Sequence, residues 1–222
     1  MSQEEPTNFL YPFIDAQEDN AESLLADLAA SAQAKAAESL TLRRTTLEAN
    51  ADLLNRAATE MARRFAAGGR MFTFGNGGSC TDSTTLAKLF SRPPIGKPLP
   101  AWSLTADQAI LTALGNDVGF DLVFARQLIA RAKAGDIAIA MSTSGNSPNL
   151  LTALAEARQR GLYTIGFAGY DGGAFANNPN VDACFIVRSQ SVHRIQESQA
   201  LLGYQLWLAT HERFRDQGLG AA

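Results

Sequence analysis

The chain is poor in the residues on which metal and redox proteins are built. Its 222 residues include two histidines, His193 and His211, and two cysteines, Cys80 and Cys184. That scarcity excludes a zinc finger, an iron–sulfur cluster and a disulfide-stapled scaffold. It also leaves few side chains that titrate near neutral pH. Positive charge is not in excess: 19 Lys and Arg against 22 Asp and Glu give a formal net charge of −3. A broadly basic nucleic-acid surface is therefore not expected. No apolar run approaches the roughly 20 residues of a membrane-spanning helix. Residues 1–6 are acidic and polar, unlike a secretory signal, so the expected compartment is the cytoplasm, with both thiols reduced. What is present suits a globular protein: 46% hydrophobic and 18% charged residues, in a length that allows one to two domains.

Residues 1–20 carry a short apolar cluster, Phe9, Leu10, Tyr11 and Phe13, around Pro12. An arm packed on its own chain and an arm docking on a partner both fit it. Residues 21–67 hold neither Gly nor Pro and are rich in Ala, Leu, Glu and Arg, all strong helix formers. Leu47, Leu54, Ala58, Met61 and Phe65 recur at helical spacing and mark one apolar face. The stretch is long for one globular helix, so it predicts a hairpin of two, about 21–38 and 42–67, ended by Gly68 and Gly69. Short apolar runs follow at 71–74, 101–104, 137–141, 163–168 and 183–187, separated by helical patterns at 79–91, 107–115, 119–133 and 148–160. A last helical pattern covers about 191–215. Alternating strand and helix predicts a doubly wound, five-stranded parallel sheet covered on both faces. No internal repeat is visible. The expected division is an N-terminal arm and helix over 1–40, then an α/β domain over 41–222 that includes the C-terminal helix.

Two strand-to-helix loops have the composition of anion cradles. In Gly75-Asn76-Gly77-Gly78-Ser79 the glycines permit close backbone approach, and the following helix offers unpaired N–H groups and a positive dipole end. The loop is neither a Walker A nor a dinucleotide fingerprint. Ser142-Thr143-Ser144-Gly145-Asn146-Ser147-Pro148 brings four hydroxyls, more than one helix cap requires, and a proline suited to a first helical turn. Two such loops at the carboxyl edge of one sheet favour a small phosphorylated ligand over a dinucleotide.

Taken in order, Gly75-Asn76-Gly77-Gly78-Ser79, Gly115-Asn116-Asp117, Ser142 to Ser147, Asp171-Gly172-Gly173 and Arg194-Ile195-Gln196-Glu197 resemble the sugar isomerase (SIS) domain, in its phosphoheptose isomerase branch, over about residues 40–212. The resemblance implies a homotetramer with sites built between subunits, binding sedoheptulose 7-phosphate or a similar sugar phosphate. It implies that Ser79, Ser142, Thr143, Ser144 and Ser147 hold the phosphate and that Asn76, Gly77 and Asp107 contact the sugar. Active members resembling this chain place a His and a Glu on the helix after the first loop, add a Gln and a His on the last helix, and bind zinc. Here those positions are Thr85, Leu89, Gln196 and Tyr204, so only the Gln is retained. An Asp often found three residues before that Gln is here His193.

Aldose–ketose isomerisation moves a proton between adjacent carbons and needs a base near neutral pKa or a metal-polarised carbonyl. Leu89 and Thr85 supply neither, and Gln196 alone does not hold zinc, so no metal cofactor is expected. Gln196, Tyr204 and His193 remain the candidate catalytic residues. Cys80, at a helix start that lowers a thiol pKa, could pair with His193. Two functions follow from the resemblance. One is a sugar-phosphate-binding protein with a regulatory or scaffold role, with residues 1–20 open to a protein partner. The alternative is an active phosphosugar isomerase with altered catalytic residues. Cys184 is expected to be inert core and His211 to face solvent. Arg63, Arg64 and Arg70 suit a helix C-terminus rather than nucleic acid.

Overall fold

The apolar runs at 71–75 and 137–141 are buried at every residue and form the centre of a sheet, while the run at 101–103 leaves Trp102 exposed at its edge. The computed structural model describes residues 21–216, with side chains from Leu24 onward; the arm expected over residues 1–20 lies outside them. Strands β1 (Met71–Gly75), β2 (Ala101–Ser103), β3 (Ile137–Met141), β4 (Tyr163–Gly169) and β5 (Ala183–Val187) form one sheet in the order β2-β1-β3-β4-β5, with every pairing parallel. This is the expected doubly wound architecture. Among the described residues six α-helices accompany the strands: α1 (Ala21–Ala66), α2 (Gly78–Ser91), α3 (Gln108–Asp117), α4 (Val123–Arg131), α5 (Pro148–Gln159) and α6 (Val192–Phe214).

Side chains alternate across the sheet with period two. Met71, Ile137, Ile139, Met141, Ile165 and Phe167 pack on one face with Met61 and Phe65 of α1, Leu86 and Phe90 of α2, and Ile195, Leu202 and Trp207 of α6. Phe72, Phe74, Ala138 and Ala140 face the other way, onto Phe124 and Leu128 of α4 and Leu150 and Leu154 of α5. The apolar face expected on α1 is used: Ala58, Met61 and Phe65 are buried, and Leu47 and Leu54 pack against the same core.

The expected hairpin is corrected. Helix α1 runs unbroken from Ala21 to Ala66, because no residue in it breaks a helix. Thr41, between the two expected helices, donates its hydroxyl back to the Ala37 carbonyl (3.0 Å). The helix closes where the first glycines occur, through bonds from Gly68 N–H to Phe65 O and Gly69 N–H to Arg64 O. The chain divides into two units, Met1–Thr41 and Leu42–Ala222. In the first, Leu25, Leu28 and Leu40 are 67%, 57% and 66% exposed. The second contains the sheet and both cores. His211 is also corrected: its ring lies between the carbonyls of Trp207 and Lys97, each 3.1 Å away, and against the rings of Phe90 and Trp207. It therefore ties α6 to the loop before β2. Among the described residues, no helix is long and apolar enough to cross a membrane.

From β1 the chain moves outward to β2, then returns past β1 to β3. The crevice between the carboxyl ends of β1 and β3 is therefore the topological switch point, where open α/β sheets take ligands. Gly75 pairs with Met141 at that edge, which puts both glycine- and serine-rich loops side by side.

Candidate functional site

Two helices begin at this crevice, and neither has a side-chain cap. Helix α2 starts behind Gly77 and α5 behind Ser147, whose hydroxyl makes no cap bond although serine favours that position. Helix α3, outside the crevice, is capped normally: Asp107 accepts from the Ile110 N–H at 3.1 Å. Two uncapped amino ends side by side concentrate N–H groups and positive dipole ends where an anion would sit. Ser79 opens α2 and is buried. Two other hydroxyls shape the second loop. Ser142 Oγ accepts from Gly145 N–H (3.0 Å) and Ser144 Oγ from Asn146 N–H (3.2 Å). Thr143 and Ser147 are half-buried on the same loop.

A reciprocal amide pair joins the loops. Asn76 Nδ2 donates to Asn149 Oδ1, and Asn149 Nδ2 donates to Asn76 Oδ1, both at 2.9 Å. Asn149, on the first turn of α5, is buried. Asn76 therefore commits its carbonyl and one N–H to bracing the crevice. Gly77 is exposed beside it, and Asp107 serves α3 as its cap. The Asp171-Gly172-Gly173 segment braces the second loop from behind, with Asn146 Oδ1 accepting from Ala174 N–H at 2.7 Å. Gly145 sits there at φ +68°, and a Cβ on it would overlap the Gly172 carbonyl oxygen. Only glycine suits both demands.

Helix α6 reaches both loops from one face. Gln196 lies so close to Gly78 that a Cβ there would overlap its Nε2. Gln199, one turn on and fully buried, donates from Nε2 to the Ser142 carbonyl at 2.7 Å. Sequence reasoning singled out Gln196 and missed Gln199 and Asn149. The available signal for Gln199 was its spacing of three from Gln196, which puts both on one helical face.

The structure brings together three of the four positions that the motif resemblance aligned with the isomerase set. Thr85, Leu89 and Tyr204 line one cavity of about 60 Å³ with Asp82 and Gln199. Thr85 spends its hydroxyl on the Thr81 carbonyl (3.0 Å). His193 is exposed at the start of α6, and among the described residues no hydrogen bond joins it to Cys80. Zinc favours thiolate, imidazole and carboxylate donors. A leucine, a threonine hydroxyl already in use, a glutamine and a tyrosine do not fit that ion. Among the described residues no three His, Cys, Asp or Glu side chains cluster. Burial raises the Asp82 carboxyl above its ordinary value and pushes the Cys184 thiol up to about 11, which keeps that thiol protonated and unreactive.

The fold and crevice define an α/β protein with two uncapped helix amino ends side by side at its switch point. The chain belongs to the SIS domain family, whose model matches residues 36–169, and within it to the phosphoheptose isomerase-like branch that its motifs resemble. It is 45% identical over 163 residues to the phosphoheptose isomerase of Solidesulfovibrio magneticus, covering 71% of this chain and 76% of that protein. It is 47% identical over 143 residues to the phosphoheptose isomerase of Paramagnetospirillum magneticum, covering 64% and 73%. The structure of phosphoheptose isomerase GmhA from Neisseria gonorrhoeae superimposes with a TM-score of 0.76 at 32% identity, over 83% of this chain and 99% of that one.

Proposed function

We propose that this chain binds a phosphorylated sugar, with the phosphate at Ser79, Ser142, Thr143, Ser144 and Ser147, and serves a regulatory or scaffold role without the isomerisation for which its relatives are named. One observation carries the reading. Two uncapped helix amino ends meet at an intact serine-rich crevice, while the adjoining cavity presents Thr85, Leu89 and Tyr204. An anion is favoured there by N–H groups and dipole ends without any Lys or Arg in the loops. The proton transfer of isomerisation lacks the His and Glu that the relatives resembling this chain supply. A cytoplasmic homotetramer without zinc completes this reading. Incubation with sedoheptulose 7-phosphate, with and without zinc and followed by NMR, should give no more product than a Ser144→Ala control. The same sugar phosphate should raise the melting temperature, because a ligand that binds only the folded state stabilises it, and Ser144→Ala should diminish that rise.

The identity of 45% to a phosphoheptose isomerase favours a second reading, an active phosphosugar isomerase that uses Gln196, Tyr204 or His193 in altered roles. Turnover above the Ser144→Ala control would select it. Absence of stabilisation by any phosphosugar would remove both readings.

A further inference from the structure

The sheet ends at β2, and among the described residues no strand pairs with its outer side. A groove of about 600 Å³ lies between this edge and the second half of α2, and no residue of the two crevice loops lines it. Its floor is apolar, with Ala87, Leu99, Pro100 and Ala101. Trp102 stands at the rim, 47% exposed. The indole stacks on buried Phe72, with ring centroids 6.1 Å apart, so it is held in place while much of it meets water. A fixed, half-exposed tryptophan is the kind of anchor on which protein interfaces centre. The charge around it has one sign. Lys88 and Arg92 line the groove from the end of α2, both exposed, and neither has an ion-pair partner among the described residues. Arg131 flanks the indole in a second cavity, of about 340 Å³, that Trp102 also lines. No Asp or Glu lines either cavity.

These walls select the occupant by chemistry. A small phosphate ester would use the cations and leave the apolar floor and indole in water. A purely apolar segment would cover the floor and strip water from Lys88 and Arg92 without pairing them, which is costly. The groove fits a segment that joins aromatic or aliphatic side chains to carboxylates. Residues 1–20 have that composition. Phe9, Leu10, Tyr11, Pro12, Phe13 and Ile14 run together, with Glu4 and Glu5 before them and Asp15, Glu18 and Asp19 after. Those five are among the chain's 22 acidic residues, while none of its 19 Lys and Arg falls in residues 1–20. The remainder therefore carries a small positive excess, and the acidity that gives the chain its net charge resides in the arm. The arm leads into the turn of α1 that carries Leu25 and Leu28, both more than half exposed, a face suited to another copy of the chain.

We propose that residues 1–20 of one copy dock in the β2-edge groove of a second copy. The apolar cluster covers Trp102 and the groove floor, and the flanking carboxylates pair with Lys88, Arg92 and Arg131. Such a contact covers the free edge of the sheet, which is otherwise open to unwanted pairing. It links copies by exchange of a terminal segment. The inference is independent of the sugar-phosphate reading, since the groove and the crevice share no residue.

Two measurements on the full chain test it. Trp207 is 1% exposed, so of the chain's two tryptophans acrylamide quenches Trp102. Replacing the arm's aromatic residues (Phe9→Ser, Tyr11→Ser, Phe13→Ser) should raise the quenching constant at least about twofold, because an interface core excludes water from its anchor. Lys88→Glu with Arg92→Glu should raise it likewise. The second measurement is carbodiimide cross-linking, which joins a carboxylate to an amine. In an assembly formed from equal amounts of ¹⁵N-labelled and unlabelled chains, Lys88 should cross-link to an acidic residue of 1–20. About half of those pairs should combine the two isotopes, as random association of identical copies requires. Lys88→Arg should abolish the cross-link while leaving Trp102 protected, since charge is kept and the amine is lost. Pairs of like isotope alone would place the arm on its own chain and overturn the exchange. Unchanged quenching in the arm variant, or cross-links from the arm to other lysines in place of Lys88, would overturn the groove as its site.

Discussion

Glu60 shows how one carboxylate fixes the end of α1. It accepts from Nε and Nη2 of Arg63 at 2.8 and 2.7 Å and from Nε of Arg64 at 2.7 Å. Arg64 then donates from Nη1 to the carbonyls of Asp136 and Gly161, at 3.1 and 3.2 Å. The carboxylate thus orients a guanidinium that ties the helix to the turns before β3 and β4. The hydrogen bond from Arg63, followed by that from Arg64, holds the Glu60 carboxyl down at about 2 against a burial effect in the opposite direction. A carboxyl depressed on folding contributes stability above its unfolded value of 4.5 and loses it as pH falls toward about 2. The side chain is 28% exposed and Arg63 is 62% exposed, so solvent screening limits the effect to about 1 kcal/mol or less. Glu60→Gln should lower the melting temperature by about 2–4 °C at pH 7, with the gap closing between pH 4.5 and 2. Thermal melts across that range check it, and a gap that persists at pH 2 would show that packing, not charge, holds the helix end.

At the scale of elements, the Asn76–Asn149 pair decides whether the two loops act as one cradle. Its four polar atoms are satisfied across the switch point between β1 and β3. Asn149→Ala leaves the Asn76 amide unpartnered in a half-buried crevice and should cost about 1–3 kcal/mol. A denaturant double-mutant cycle with Asn76→Ala should show a coupling of about 0.5–3 kcal/mol, and additive losses would mean that the loops are held independently. Much of this arrangement was legible in the sequence. Apolar runs broken by turn residues located all five strands, and glycine or serine clusters located both loops, because local chemistry alone selects those conformations. The hairpin expected near residue 40 was misplaced for the opposite reason: length suggested a break that no residue enforces. Asn149 was not legible, and Gln199 was signalled only by its spacing from Gln196, since their roles depend on which turns of α5 and α6 meet the two loops, a matter of packing across long sequence separations. Asp107 was named from the resemblance alone, and its bond to the Ile110 N–H shows that it also caps α3.

For the whole molecule, the exposed leucines of α1 bear on the proposed tetramer. Leu25 and Leu28 are one turn apart, so they share a helical face; they and Leu40 are more than half exposed. Fully burying a leucine is worth about 1.5–3 kcal/mol, so covering several per subunit offsets much of the entropy cost of association. Light scattering should give a solution mass four times the 23.7 kDa of one chain. Leu25→Ser with Leu28→Ser should shift that mass downward without loss of helical circular dichroism. The consequence for function follows from the family resemblance, which implies sites built between subunits. If this chain shares that design, the dissociated variant should lose stabilisation by sedoheptulose 7-phosphate although Ser79, Ser142 and Ser144 are all untouched. A variant that is monomeric yet stabilised as strongly as wild type would show that one chain builds the site alone, and would separate assembly from ligand binding.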